Sequence, residues 1–376
     1  MNKLFESSEI NGMRLANRFV RSATWEGMAA DDGAVTPRLT QTMVALAEGG
    51  VGLIITGHAY VRPEGQAGPW QLGIYKDELV EGLTSMCNAV HQAGGKIVAQ
   101  LAHAGHFAAK ALTGQAPHVV SDFEGLSDSP RHELTKEDIR KLVQAFADAA
   151  RRARAAGFDG IQIHSAHGYL LSQFLSPAYN RRNDEYGGSV ANRARVHLEV
   201  VKAIRAVVGR EYPVLIKINS EDCIADGLTV EDSLAAAKIL ADAGIDAIEL
   251  SGGTLTSGKL SPSRSGINQE DKEAYFKVAA AAYKKALDLP LILVGGNRSL
   301  NVARQTIADG TADYISMCRP FIREPDLIKR WQSGDTAPAR CKSDNLCFGP
   351  AMKGQGVLCV VAENEKASAK GSKREP

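Results

Sequence analysis

Residues 135–164 read TKEDIRKLVQAFADAARRARAAGFDGIQIH, and the reading of the whole chain starts from this stretch. Ile139, Leu142, Val143, Phe146, Ala149 and Ala150 recur at helical spacing and so share one face of a helix. Thr135 stands as its N-cap with Asp138 three residues on, and Gly157 follows as its stop, since glycine accepts the left-handed turn that ends a helix. The run 160–164 is short and apolar with little polar alternation, as expected of a parallel strand buried on both faces.

Outward from this unit the pattern repeats. Runs rich in Val, Ile and Leu at 18–22, 51–56, 96–100, 160–164, 214–219, 247–251, 291–294 and 314–317 predict eight strands with helical periodicity between them. Ala93-Gly94 and Ala243-Gly244 repeat the helix-ending pair. The series predicts an α/β chain folded as a single (β/α)8 TIM barrel. An open doubly wound sheet is the alternative. It would want a glycine-rich phosphate loop after its first strand, and Ala23-Thr24-Trp25-Glu26-Gly27 is a poor one. Ile10-Asn11-Gly12-Met13 is a hairpin signal, predicted to plug the N-terminal mouth of the barrel. The long connections 101–135 and 165–192 both follow strands, on the face where barrel active sites form.

Composition narrows the partners. Of 376 residues, 44% are hydrophobic and 23% charged, ordinary for a globular enzyme. Forty-four basic residues balance 43 acidic ones, so no global field favours nucleic acid or an anionic membrane. No apolar run reaches membrane-spanning length, and Met1-Asn2-Lys3-Leu4-Phe5-Glu6 lacks a signal peptide's apolar stretch. A cytoplasmic location is expected. The six cysteines are too scattered for a disulfide framework.

Strand four ends in His164-Ser165-Ala166-His167-Gly168-Tyr169. Two neutral imidazoles can donate to one carbonyl oxygen, drawing charge from a conjugated C=C and stabilising the enolate that develops. A nearby phenol, protonated at neutral pH, can supply the α proton. His-x-x-His could instead hold zinc, with His103 or His106 as third ligand. Gln100, closing strand three, suits a heteroaromatic ring through its donor and acceptor. Lys217 on strand five needs a negative partner, either an anionic reduced ring or a barrel carboxylate such as Glu249. Strands seven and eight end in Gly295-Gly296-Asn297 and Met317-Cys318-Arg319-Pro320, where barrels often bind phosphate; Ser251-Gly252-Gly253 adds backbone donors.

Taken together these segments resemble the old yellow enzyme family of FMN-dependent ene-reductases and NADH:flavin oxidoreductases. The resemblance runs from Leu4 to Trp331. Its most specific part is His164 to Pro177, continuing through Asn180-Arg181-Arg182, Asp184, Tyr186 and Gly188 to Asn192-Arg193; Asn17-Arg18-Phe19 and Gln100 to Gly105 also fit. It implies FMN at the barrel mouth, with Gln100 and Lys217 on the isoalloxazine ring and main-chain groups near Ser22, Ala23 and His58 beside it. It implies a phosphate region at Gly295, Gly296, Cys318 and Arg319. His164 and His167 would hold the substrate carbonyl and Tyr169 would donate the proton. The implied cycle is ping-pong: NADH or NADPH reduces FMN, and flavin N5 then delivers hydride to an enone-type small molecule. Relatives often self-associate, so a homo-oligomer is implied, its size left open. A quinone or flavin reductase, a C–N demethylating enzyme and a non-catalytic flavin redox sensor are the other functions weighed.

Two positions depart from the family pattern. Trp25 stands where a Thr or Cys usually tunes the flavin, so either Thr24 takes that role through a shifted register or the flavin potential is tuned differently. Cys341, Cys347 and Cys359 look like a remnant of the four-cysteine iron–sulfur site of larger relatives, with Asp344 where another cysteine might stand; no cluster and no other metal is expected. The expected organisation is a barrel over 1–335, an extension over 336–360 and an unstructured tail over 361–376, with the second flavin and nucleotide domain of larger relatives lacking. Pocket walls are expected from 58–70, 104–125 and 253–268.

Overall fold

The strands are β1 (Ser8–Ile10), β2 (Met13–Leu15), β3 (Phe19–Arg21), β4 (Leu53–Tyr60), β5 (Ile97–Ala102), β6 (His118–Val119), β7 (His132–Glu133), β8 (Gly160–Ser165), β9 (Val214–Asn219), β10 (Ala247–Ser251), β11 (Leu291–Leu293) and β12 (Tyr314–Met317). They come from a computed structural model, which describes residues 3–108, 110–123 and 130–371. Eight form a closed parallel barrel in the order β10-β11-β12-β3-β4-β5-β8-β9. Closure is made where Ile315, Ser316 and Met317 of β12 pair with Phe19, Val20 and Arg21 of β3. That seam excludes the open sheet. All eight predicted strands are present, the largest change being β4, which continues past Thr56 to Tyr60. A register irregularity between Ile55 and His58 accompanies this extension, and such a bulge re-aims side chains at a barrel rim.

Alternation along the strands divides the interior into two layers. On β9, Ile216 and Ile218 pack toward the helices while Leu215 joins an inner apolar cluster. That cluster contains Val20, Leu53, Val98, Ala247 and Ile292 together with Ile10, Met13 and Leu15 of the hairpin. The β1–β2 hairpin is therefore the predicted plug. Asn11 and Gly12 take φ of 42° and 78°, as its two-residue turn requires. Above the apolar layer the inward residues become polar, and they floor the site.

The helix Lys136–Ala155 carries the full capping box: Thr135 Oγ1 accepts from Asp138 N, and Asp138 Oδ2 from Thr135 N. Its buried face includes Ile139, Leu142, Phe146, Ala149 and Ala150, as expected, with Val143 partly buried beside them. Gly157 follows at φ 85°.

The C-terminal part corrects one expectation. Residues Val360–Gly371, read as an unstructured tail, form a helix, tied down where Arg323 pairs with Glu365; residues 372–376 lie outside the described residues. Composition suggested a solvated tail, but Ala, Glu and Lys also favour helix once one contact anchors it. The segment before it folds back over the barrel: Ala339 and Arg298 exchange backbone and side-chain bonds, and Val357 N donates to Glu26 O. Among the described residues, no helix is long and apolar enough to cross a membrane.

Candidate active site

A cavity of about 470 Å³ opens at the C-terminal end of the strands, within the usual range for small-molecule sites. Its floor is a buried polar network centred on Glu249. Glu249 Oε1 accepts from Ser22 Oγ at 2.7 Å and Ser316 Oγ at 2.8 Å, and lies 3.2 Å from Lys217 Nζ. Glu249 Oε2 accepts from Gln162 Nε2 at 2.9 Å. Burial works to raise this carboxyl, but the Lys217 charge and the donors Ser22, Gln162 and Ser316 outweigh it and hold it below the ordinary range. Lys217 thus has the barrel-carboxylate partner that sequence offered, and it also lines the cavity.

One wall carries the chemistry. The ring centroids of His164 and His167 are 5.3 Å apart, and those of His164 and Tyr169 4.8 Å. All three residues line the cavity. His167 sits at φ 65°, a conformation rare for a side-chain-bearing residue. Asn219 Oδ1 accepts its N–H at 3.0 Å and Ser251 Oγ lies 2.8 Å from its Nε2, so neighbouring strands hold the strained loop in place. His164 Nδ1 is buried with no partner among the described residues, an atom for a ligand to meet. Desolvation pushes both imidazoles well below their usual pKa, and the Lys217 charge adds to this, so both are neutral. Burial likewise raises the Tyr169 phenol, keeping it protonated.

The opposite end is cationic. Arg298 and Arg319 line it beside Gly296 and Tyr275. Arg319 donates to Asn345 Oδ1 at 2.7 Å and to Arg264 O at 2.8 Å. Arg264 stacks on Tyr275 at 4.3 Å. Gly296 has φ 74°, and a Cβ there would come within 2.8 Å of Tyr275.

Several expected residues meet here, and others do not. Ser22, Ala23, Thr24, His58, His164, His167, Tyr169, Lys217, Gly296, Cys318 and Arg319 all line the cavity. Gln100 does not line it: its amide donates to Gln162 Oε1 of the adjacent strand at 2.7 Å. Gly252 and Gly295 do not line it either. A Cβ on Gly252 would strike Phe276 at 2.6 Å, and one on Gly295 would reach it at 3.0 Å, so close packing behind the wall explains these glycines. The Thr24 hydroxyl donates to Ser22 O and touches Cys318 Sγ at 2.9 Å, while the Trp25 indole donates to Pro69 O. The zinc alternative asked for a third ligand beside His164 and His167, and neither residue belongs to a converging group of three among the described residues. Glu64, His103 and His118 are the group whose ligand atoms converge among the described residues. There His103 Nδ1 accepts from Gly105 N, which leaves neutral His103 its proton on Nε2 and no lone pair there.

The sequence reading passed over Glu249 as an organising centre, and over Gln162, Ser316, Arg298 and Tyr275. It also passed over Ser343, Asn345 and Phe348 of the C-terminal segment, which close one side of the cavity. Of the expected pocket walls, residues 109, 124 and 125 lie outside the described residues. A second, mainly apolar cavity of about 520 Å³ shares Trp25, His58 and Tyr169 with the first and extends to Pro69, Leu112 and Met352.

The residues present fit FMN: guanidiniums and a left-handed glycine for a phosphate, an ammonium mid-cavity, and an unpartnered imidazole nitrogen at the reactive end.

Comparison with known proteins supplies the family. The sequence profile of the NADH:flavin oxidoreductase / NADH oxidase family matches residues 3–337. An NADH oxidase of Thermoanaerobacter brockii is 36% identical over 354 residues, covering 92% of this chain but 53% of that protein; the chain thus spans about half that relative's length. An NADPH dehydrogenase of Clostridium acetobutylicum is 33% identical over 349 residues, covering 92% of this chain and 97% of its own. The solved old yellow enzyme homologue of Zymomonas mobilis superposes with a TM-score of 0.76 at 28% identity, over 91% of this chain and 96% of that one.

Proposed function

We infer the function from one premise: the chain belongs to the NADH:flavin oxidoreductase / NADH oxidase family, an FMN-dependent group of NAD(P)H oxidoreductases that takes in the old yellow enzymes. From that premise we propose that it reduces the activated C=C bond of α,β-unsaturated carbonyl or nitro compounds. The observation that carries the reading is the convergence of His164, His167 and Tyr169 on one cavity wall.

FMN, when bound, would supply hydride chemistry between NADH or NADPH and the acceptor, in the ping-pong order that the family resemblance implies. Arg298 and Arg319 would hold its phosphate, and Lys217 with the main chain of Ser22–Ala23 would hold its ring. The imidazoles of His164 and His167 donate N–H bonds to the acceptor's carbonyl oxygen. Because both rings are neutral, they stabilise developing enolate charge without forming a fixed ion pair in the ground state. Tyr169 transfers its phenolic proton to the α carbon. The apolar second cavity receives the body of the acceptor.

The test is stopped-flow reduction of the bound flavin by NADPH or NADH, followed by reoxidation with cyclohexenone. We expect His164→Ala and His167→Ala each to slow reoxidation by at least about 100-fold and to abolish binding of phenolic ligands. Unchanged turnover and phenol binding in both variants would overturn the reading. Rapid reoxidation by quinones but not by enones would assign the chain to quinone reduction instead.

A further inference from the structure

His58 enters the sequence reading only through its backbone, yet its side chain sits between the two cavities, against Tyr169. The β4 bulge brings it there. His58 Nε2 lies 3.3 Å from the Tyr169 hydroxyl, with the rings edge-on at 5.3 Å. On the other side, Gln71 Nε2 lies 2.7 Å from His58 Nδ1 and donates to His58 O at 2.8 Å.

The orientation of the Gln71 amide is settled by its far end. Gln71 Oε1 accepts two backbone N–H bonds, from Ala67 at 2.6 Å and Gly68 at 3.3 Å. Turning the amide over would set NH2 against those two donors and oxygen against His58 O. Its NH2 therefore faces His58, whose Nδ1 must accept. A neutral His58 then carries its proton on Nε2, aimed at the Tyr169 oxygen. Desolvation lowers the imidazole to about 4, so neutral is its resting form. The other titratable groups facing the pair are His164, whose ring is 6.2 Å from that of His58, and His167 and Lys217 beyond it.

We propose that His58 is a positioning residue for proton transfer by Tyr169, its tautomer set by Gln71. Because Nε2–H donates to the phenol oxygen, the phenolic proton is not spent on His58 and is directed toward the cavity. In the transfer, the O–H bond of Tyr169 breaks and a C–H bond forms at the α carbon of the substrate enolate. The phenolate left behind keeps the Nε2–H donor, now a charge-assisted bond, until water restores the proton. The inference rests on reading Tyr169 as the proton donor.

Two measurements test it on the FMN-loaded enzyme. The first is a double-mutant cycle of His58→Ala and Tyr169→Phe on cyclohexenone reoxidation. Acting through the phenol, His58→Ala lowers kcat about 10- to 100-fold with KM little changed, and costs almost nothing further in the Tyr169→Phe background. His58→Gln, which keeps an N–H donor, recovers part of the loss. Additive losses, or an equal fall in flavin reduction by NADPH, would mean a merely structural role and sink the proposal. The second measurement needs no substrate: 15N NMR of histidine-labelled protein reads the His58 tautomer. Nε2–H in the wild type near pH 7, lost in Gln71→Leu, is expected. An Nδ1–H or doubly protonated His58 would overturn the proposal even if enone reduction stands, while a wild type inert to enones would remove only the function proposed above.

Discussion

At the residue scale, the arrangement is governed by what buried polar atoms require of one another. Lys217 and Glu249 are both nearly inaccessible, and their pairing is supported by Ser22, Ser316 and Gln162. Such a network is costly to break from one side, because the surviving charge has no water to return to. We therefore expect Glu249→Gln to destabilise the protein by about 3–5 kcal/mol, measured by urea unfolding. A loss well under 1 kcal/mol would mean that water enters the floor. The same logic applies to Gln100, which joins this network through Gln162. Its type and strand position suit a heteroaromatic ring, and one of its N–H groups is held by Gln162 of the adjacent strand.

At the scale of elements, helix ends and loops divide the labour. The capping box at Thr135 is a local device, readable in sequence and remote from the cavity. Thr135→Ala is expected to cost about 1 kcal/mol of unfolding free energy and leave turnover unaltered. Unfolding midpoints and steady-state rates of the pure variant check both halves of that statement. The C-terminal segment behaves differently. Asn345 bonds Arg319 and Ser263 O, and Ser343, Asn345 and Phe348 border the cavity. Deleting residues 338–376 should weaken FMN binding by about ten-fold or more, read by flavin fluorescence on titration. Unaltered affinity would show that the barrel holds the cofactor unaided.

For the whole molecule, burial of neutral histidines links folding to pH. His103, His164 and His197 are almost wholly buried, and desolvation lowers each, His197 to about 3. Unfolding exposes them at their ordinary value near ~6.5. Above that pH they are neutral in both states and contribute no pH dependence. Below it the unfolded chain takes up protons that the folded chain refuses, so stability falls as pH drops. Each group contributes up to about 1.4 kcal/mol per pH unit until its folded pKa is reached. Three acting together can consume a typical folding free energy of about 5–15 kcal/mol within a few units. The melting temperature should fall steeply between about pH 6 and 4.5; a flat profile would contradict neutral burial of these rings.

What the sequence by itself determined is whatever depends on local period and local chemistry. The apolar runs, the Ala-Gly helix ends, the Asn11-Gly12 turn and the His164–Tyr169 segment are each legible because neighbours along the chain are neighbours in space. Only the tertiary structure decided which polar atoms meet across the barrel. Strand register puts Gln162 beside Gln100 and Lys217 beside Glu249 on adjacent strands, and a single bulge in β4 accompanies the turning of His58 toward Tyr169. Arg298 and Asn345 have no sequence signature because their partners lie on distant segments. A hydrogen bond depends on distance and direction to an atom whose position the closed barrel alone specifies.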